Sequence, residues 1–400
     1  MTLLALLGIL PWVALGVLMA FLIGEPRPLP PRPEASTTPP ADADGRVQVS
    51  IIVPARNEAR NVERCLTSLA RMEGVSYEIL LVDDRSTDET ARLARQVDRG
   101  AARTLRVIDG EPLPDGWFGK PWACRQGADQ AQGELLLFTD ADTRHDPDLL
   151  ARALAAMRED EASVLSLLGR QEMGTVGERL VQPQVFTLIG LRFRGLDRVI
   201  DRDDWRDAIA NGQFVLVQRE AYEAIGGHEA VRGEVVEDLR LAQELVRAGY
   251  RLTVRQGEDV FSTRMYTSLR ELVAGWTKNV SVGARQSAEG WARWALPGIV
   301  AFLTVAWLAP VVGLLVGAGG VAAGVIEPAH PLLVWAGVTW LFSVFIWMGA
   351  YARFGVSPLY ALLYPLGTGV LLHIVMRSWL RGTRRIEWKG RRYERGSTAG

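Results

Sequence analysis

The chain has 400 residues, a length that leaves room for more than one domain. Its formal net charge of −1 carries no sign of a nucleic-acid partner. Its two cysteines, Cys65 and Cys124, have no metal-ligand spacing and imply no disulfide framework, which fits a reducing compartment.

Apolar residues are unevenly placed. Met1–Ile23 and Leu296–Met376 hold most of the long apolar runs, while the middle alternates like a soluble protein. Leu3–Ile23 is an uncharged stretch of about twenty residues, enough to cross a ~30 Å hydrocarbon core. A cleaved signal peptide is the competing reading, but no basic residue precedes the run and no small-x-small cleavage site closes it. Arg27 and Arg32 follow it, which favours an outside N-terminus and a cytoplasmic exit. Glu25–Gly45 is rich in Pro, Ser, Thr and Asp and reads as a semi-extended linker.

Val47–Val53 is a predicted strand that runs into Pro54, Ala55, Arg56, Asn57 and Glu58, followed by a helical pattern on Val62, Cys65, Leu66 and Leu69. Glu78–Val82 repeats the layout, with a polar turn Asp83–Asp88 in which Ser86 or Thr87 is the expected helix cap. Val107 and Ile108 form a short third strand. Strands alternating with helices predict an α/β fold, a mostly parallel sheet with helices on both faces.

The loop Pro112–Ala123 carries turn formers, aromatics and Lys120, which is either a point charge for a phosphate or an ordinary exposed lysine. Gly133–Phe138 then reads as a buried strand ending in Asp140 and Asp142. Open α/β sheets bind ligands beyond the carboxyl ends of their strands, and an extended chain would point both side chains the same way. Two hard oxygen ligands there suit Mg²⁺ or Mn²⁺, which keeps waters and takes further ligands from substrate phosphate. A solvated acidic loop before a helix near Asp146-Pro147-Asp148 is the alternative.

Asn211–Val217 is another apolar strand, and Gly226-Gly227-His228 a turn. His228 is either a turn residue with a structural hydrogen bond or a contact to acceptor or phosphate. Asp238 precedes a predicted helix, Leu239–Ala248, as either a cap or a general base. Ser281–Leu296 carries Arg285, Trp291, Arg293 and Trp294 and suits an interfacial helix. Pro297–Gly317 and Leu332–Ala352 are two further spans. A third candidate, Leu359–Trp379, is interrupted by Pro365, Gly367 and Gly369. Three spans would place the basic tail outside, against the positive-inside rule, so a re-entrant or interfacial segment is expected there.

From Val47 to Lys278 the chain resembles glycosyltransferase family 2, inverting enzymes with the GT-A fold. The resemblance rests on VSIIVPARNE at 49–58, VDDRSTD at 82–88, Asp-Ala-Asp at 140–142 and Glu-Asp at 237–238, in that order. Gly116–Ala123 (GWFGKPWA), Gly226–His228 and Trp388–Tyr393 (WKGRRY) look like a membrane-anchored branch with hopanoid-associated, carotenoid-type and ceramide-type members. The resemblance implies that Pro54, Ala55, Asn57 and Glu58 line the nucleoside pocket and that Asp84 holds uracil or ribose. It places Lys120 near the nucleotide, Asp140 and Asp142 as the acidic pair with Asp142 the firmer metal ligand, and Asp238 as catalytic base. Glu237 and His228 become candidates for acceptor or diphosphate. Processive synthases carry Gln-x-x-Arg-Trp after the base, whereas 275–279 here read Gly-Trp-Thr-Lys-Asn, with Trp276 and Lys278 as candidate replacements. That departure favours a single sugar transfer.

The expected protein is a membrane-bound hexosyltransferase moving one sugar from a nucleotide sugar, a UDP-sugar by preference, to a lipid hydroxyl with Mg²⁺ or Mn²⁺. It would be multi-pass in the cell (inner) membrane with its catalytic domain cytoplasmic. The expected segments are an anchor at 1–24, a linker at 25–46, a GT-A domain at 47–280, an interfacial helix at 281–296, membrane or re-entrant helices at 297–380 and a basic tail at 381–400. A non-catalytic nucleotide- or lipid-binding membrane protein and a sugar nucleotidyltransferase are the competing classes.

Overall fold

The computed structural model describes residues 27–33, 46–193, 199–286, 292–381, 385–388 and 391–394, together with residues 10, 12, 13, 16 and 17. Most of the expected N-terminal span and residues 34–45 of the linker lie outside the described residues. The chain divides into two compact units, one of residues 26–172, 196–265 and 384–400, the other of residues 1–25, 173–195 and 266–383.

The first unit contains β1 (Val49–Ala55), β2 (Tyr77–Asp83), β3 (Leu105–Asp109), β4 (Leu135–Thr139), β5 (Thr143–His145), β6 (Val164–Leu168), β7 (Arg170–Gln171), β8 (Val199–Ile200), β9 (Phe214–Gln218), β10 (Leu252–Gln256) and β11 (Phe261–Thr263). Eight of these form one sheet in the order β3-β2-β1-β4-β9-β6-β10-β8, and β5-β11-β7 form a smaller one. The β3-β2-β1-β4 run and the β6-β10 pair are parallel. β9 lies antiparallel between β4 and β6, and β8 antiparallel to β10. The expected mostly parallel α/β sheet is therefore present, with the predicted strand Asn211–Val217 starting later and running backwards through it.

Both faces of this sheet are covered, which explains its near-continuous apolar strands. Ile51 and Val53 pack on one face with Val62, Cys65, Leu66 and Leu69 of the helix Val62–Leu69. Ile52 points the other way, with Leu136, Phe138, Cys124 and Leu241. The helix Gly119–Asp129 lies close on that face: a Cβ at Gly127 would stand 2.5 Å from Ile52 Cγ2. That close approach fixes where Lys120 can reach.

The described part of the linker is docked rather than free. Leu29 N–H donates to the Gln256 carbonyl (3.1 Å), Arg152 Nε donates to the Pro30 carbonyl (2.7 Å), and Arg27 pairs with Asp160 at 2.6 Å.

The second unit holds the helices Val176–Arg192, Leu269–Gln286, Ala292–Ala322, Pro331–Arg353 and Tyr364–Arg381. The stretch 281–296 divides between two of these, with residues 287–291 outside the described ones. Among the described residues two stretches, Pro331–Arg353 and Pro358–Ser378, are long and apolar enough to cross a membrane by length and composition. The second corrects the expected interruption. Pro365 falls in the first turn of its helix, where its missing N–H has no helical partner to lose. Gly367 lets that helix approach the helix Val176–Arg192: a Cβ there would lie 2.6 Å from the Leu180 carbonyl oxygen. Gln184 Nε2 then donates to Tyr351 Oη (3.0 Å) and to the Tyr364 carbonyl (2.9 Å). At the C-terminus β12 (Arg385–Trp388) and β13 (Arg391–Glu394) pair antiparallel.

Candidate functional site

The loops leaving the carboxyl ends of β1, β2 and β4 lie side by side because their strands do. Pro54 and Ala55 finish β1 itself. Asn57 follows at φ 54, its N–H donating to Ser86 Oγ (3.0 Å) and its Oδ1 accepting from the Thr87 N–H (2.9 Å). Glu58 N–H donates to Thr90 Oγ1 at 2.7 Å. Ser86 and Thr87 are thus engaged by the first loop and do not cap the next helix. That helix begins only at Thr90, whose N–H donates to Asp88 Oδ1 at 3.0 Å. Asp84 is buried, with its N–H on the Ala55 carbonyl at 2.8 Å.

β4 ends at Thr139, so Asp140 and Asp142 lie in a turn and not on an extended strand. The turn is tied down by Thr143 Oγ1, which donates to the Asp140 carbonyl at 2.6 Å. Behind it stands a group that the sequence reading passed over. His145 is buried between Thr139 Oγ1 (3.1 Å) and Ser68 Oγ (3.2 Å), and burial pulls its imidazole down to about 3, so it is neutral. Asp142 Oδ1 lies 3.4 Å from Thr263 Oγ1.

Lys120, in the first turn of its helix, bridges two carboxylates: its Nζ is 2.8 Å from Asp140 Oδ1 and 2.9 Å from Glu237 Oε1. Burial alone would lower its pKa, but Asp140, Glu237 and Asp238 outweigh that and hold it well above its ordinary value. It is an internal cation and not an exposed lysine.

Asp238 is the second residue of the helix Glu237–Arg247, whose N-cap, Val236, makes no side-chain cap bond. Asp238 Oδ2 accepts from the Gly212 N–H (2.8 Å), and Oδ1 accepts from the N–H of Leu239 (2.8 Å). Burial and the neighbouring Glu237 carboxylate push its pKa up to about 6, against the opposing pull of Lys120 and the two N–H donors. A carboxylate poised there is suited to take a proton near neutral pH. Gly212 is a second group missed in sequence: it read only as the start of an apolar strand.

His228 is buried against Phe138, with Nδ1 2.9 Å from Tyr222 Oη, and burial pulls it down to about 3. Trp276 and Lys278 belong to the helix Leu269–Gln286 of the other unit, where Trp276 packs on Phe186 and Tyr266. The structure therefore gathers Asp140, Lys120, Glu237 and Asp238 into one linked cluster, with Asp142 two residues from Asp140. Among the described residues no group of three or more His, Cys, Asp or Glu is placed to hold a metal ion. Two carboxylates alone fit an ion that completes its shell with water and substrate phosphate, as Mg²⁺ does.

Residues 50–226 match the family model described as glycosyl transferase family 2. A 4,4'-diaponeurosporenoate glycosyltransferase of Staphylococcus aureus (strain USA300) is 29% identical over 254 residues, covering 59% of this chain. That match spans 61% of the relative's own length, less than two thirds of it. The protein of the same name from the bovine strain RF122 is 28% identical over 370 residues, 86% of this chain and 88% of that one. Among solved structures, a mannosyltransferase from Pyrobaculum calidifontis, in complex with GDP-Man and Mn²⁺, aligns over 94% of this chain and 98% of its own at 18% identity and a TM-score of 0.49. Over residues 50–226 the chain is thus similar to glycosyl transferase family 2.

Proposed function

We propose that this protein is a membrane-associated inverting glycosyltransferase that moves one sugar from a nucleotide sugar, by preference a UDP-sugar, to a lipid hydroxyl. The observation that carries the proposal is the cluster in which Lys120 joins Asp140 to Glu237 beside a raised-pKa Asp238. It supplies positive charge for a leaving diphosphate and a proton acceptor within one unit.

Pro54, Ala55, Asn57, Glu58 and Asp84 would line the nucleoside pocket, since the loops that carry them are bonded to each other. Asp140 and Asp142 would hold Mg²⁺ or Mn²⁺, which contributes Lewis-acid stabilisation to the departing diphosphate. Lys120 would add a fixed positive charge where negative charge develops. Asp238 would accept the acceptor hydroxyl proton, a contribution typically of ~10²–10⁴ in rate. Inversion follows from one direct displacement, which needs no nucleophile from the protein.

The relatives' name and the two long apolar helices support a lipid-type acceptor. The relatives' name denotes a carboxylate, which has no proton to lose at neutral pH. A base raised to about 6 supports a hydroxyl acceptor instead. The first basic residues, Arg27 and Arg32, support a cytoplasmic catalytic unit at the cell membrane.

The test is incubation of purified protein with a panel of UDP- and GDP-hexoses, total membrane lipid and Mg²⁺ or Mn²⁺, with mass spectrometry of the lipids. A lipid that gains one hexose, with release of a nucleoside diphosphate and loss of turnover on chelation, supports the reading. No donor consumed with any lipid and either metal rejects it.

A further inference from the structure

We infer that Gln171 reads a hydroxyl group of the transferred sugar, an assignment that rests on the glycosyl-transfer reading above. Three side-chain amides fix how the Gln171 carboxamide is turned. Asn211 Nδ2 donates to the Leu167 carbonyl (2.8 Å) and to Gln213 Oε1 (3.3 Å), while Gln213 N–H donates to Asn211 Oδ1 (3.3 Å). Gln213 Oε1 also accepts from Gln171 Nε2 at 3.4 Å, and that same nitrogen faces the Gly169 carbonyl at 3.5 Å. Backbone carbonyls stand at both ends of this chain and can only accept, so the NH₂ groups must point at them. Turning the Gln171 amide over would set its oxygen against two other acceptors.

Gln171 Oε1 is consequently left over, buried and with no hydrogen-bond partner among the described residues. A buried acceptor without a donor costs free energy, so such a group calls for an explanation in a ligand or an ordered water. Its surroundings point to the ligand. Gln171 on β7 is in register with Thr263 of β11, and Thr263 is in register with Thr143 of β5 and reaches Asp142 Oδ1. On its other side the amide chain runs through Gln213 to the adjacent Gly212, whose N–H holds Asp238. The side chain is tied at one end to the acidic turn assigned to the diphosphate, and at the other to the seat of the base. A sugar in transfer occupies the interval between leaving group and acceptor, and its hydroxyls are the O–H donors that an amide oxygen lacks here.

The test uses full-length wild-type and Gln171→Leu protein in detergent with Mn²⁺. It employs the UDP- or GDP-hexose that wild type consumes, its 2-, 3-, 4- and 6-deoxy analogues, and the matching nucleoside diphosphate alone. The expected result has three parts. Wild type loses roughly ten- to hundredfold in kcat/KM with one deoxy donor. Gln171→Leu loses a similar factor with the full donor and no longer distinguishes that analogue. Calorimetric affinity for the nucleoside diphosphate with Mn²⁺ is the same in both, which also shows that the variant is folded. The assignment is overturned if wild type treats every deoxy donor alike, or if Gln171→Leu turns over the full donor normally. Weaker binding of Mn²⁺ with nucleoside diphosphate alone would also overturn it, making the oxygen a metal ligand. A wild-type protein that consumes no donor removes the transferase reading itself, a result separate from these.

Discussion

The Gly212 N–H donates to Asp238 Oδ2 across 2.8 Å, and a methyl group added at Gly212 would fall 2.5 Å from that same oxygen. The residue that holds the carboxylate is thus also the one that leaves space for it. The seat comes from the turn before β9 and the carboxylate from a helix 26 positions later.

Gly212→Ala should displace the base without touching the nucleotide loops. The expected result is a fall in kcat of at least tenfold with nucleoside diphosphate affinity unchanged, measured by donor turnover and calorimetry. Asp238→Asn should lose roughly 10²–10⁴ in rate while still binding nucleotide. If Asp238→Asn keeps full turnover, the acceptor loses no proton in the reaction and is a carboxylate rather than an alcohol.

The pH profile follows from the raised carboxyl. Asp238 must be ionised to accept a proton, so kcat/KM should fall as pH drops through about 6 and be flat above it. Lys120 pulls that pKa down, so Lys120→Met should move the acidic limb to higher pH. Stability has the opposite sense. The folded pKa of about 6 exceeds the ordinary 3.8, so the protonated form stabilises the fold at low pH and that contribution is lost as pH rises towards 6. Asp238→Asn should therefore gain thermal stability relative to wild type above pH 6 and show no gain near pH 3.

His228 should be silent in that profile, because it is buried and neutral with its pKa pulled down to about 3. His228→Ala removes the imidazole partner of Tyr222 Oη, leaving it only the N–H of residue 228, and should cost about 1–3 kcal/mol of stability. The readout is thermal unfolding together with a pH–rate curve whose limbs stay in place; a lost limb would make His228 part of the chemistry.

In the helical unit, Gly367→Ala would set a Cβ 2.5 Å from Gln184 Nε2 and 2.6 Å from the Leu180 carbonyl oxygen. Overpacking of this kind costs about 1–3 kcal/mol. The variant should unfold at lower temperature in detergent. An unchanged melting temperature would mean that these helices separate freely.

Much of the fold was legible because it is written in local periodicity. The strand at 135–139 and the helix that carries Cys65 and Leu69 follow from short apolar patterns, each buried on the face its pattern predicts. Local patterns failed where a distant partner decided the outcome. Ser86 looks like a helix cap until Asn57 takes its hydroxyl, and Pro365 looks like a breaker until it falls in a helix's first turn. The linker reads as semi-extended, yet residues 27–29 dock on β10 through backbone hydrogen bonds, which leave no signal in the local pattern.

By itself the order of residues determined which chemistry is present: an acidic pair after a strand, a lysine before a helix, a Glu-Asp pair at a helix start. Tertiary structure alone decided what those groups do to one another. The charge state of Asp238 depends on burial, on Glu237 and on Lys120, and the orphaned oxygen of Gln171 depends on the amides of Gln213 and Asn211, some forty residues along the chain. Electrostatics and hydrogen bonding act through distance and direction in space, and neither quantity is stored in the spacing of residues along a chain.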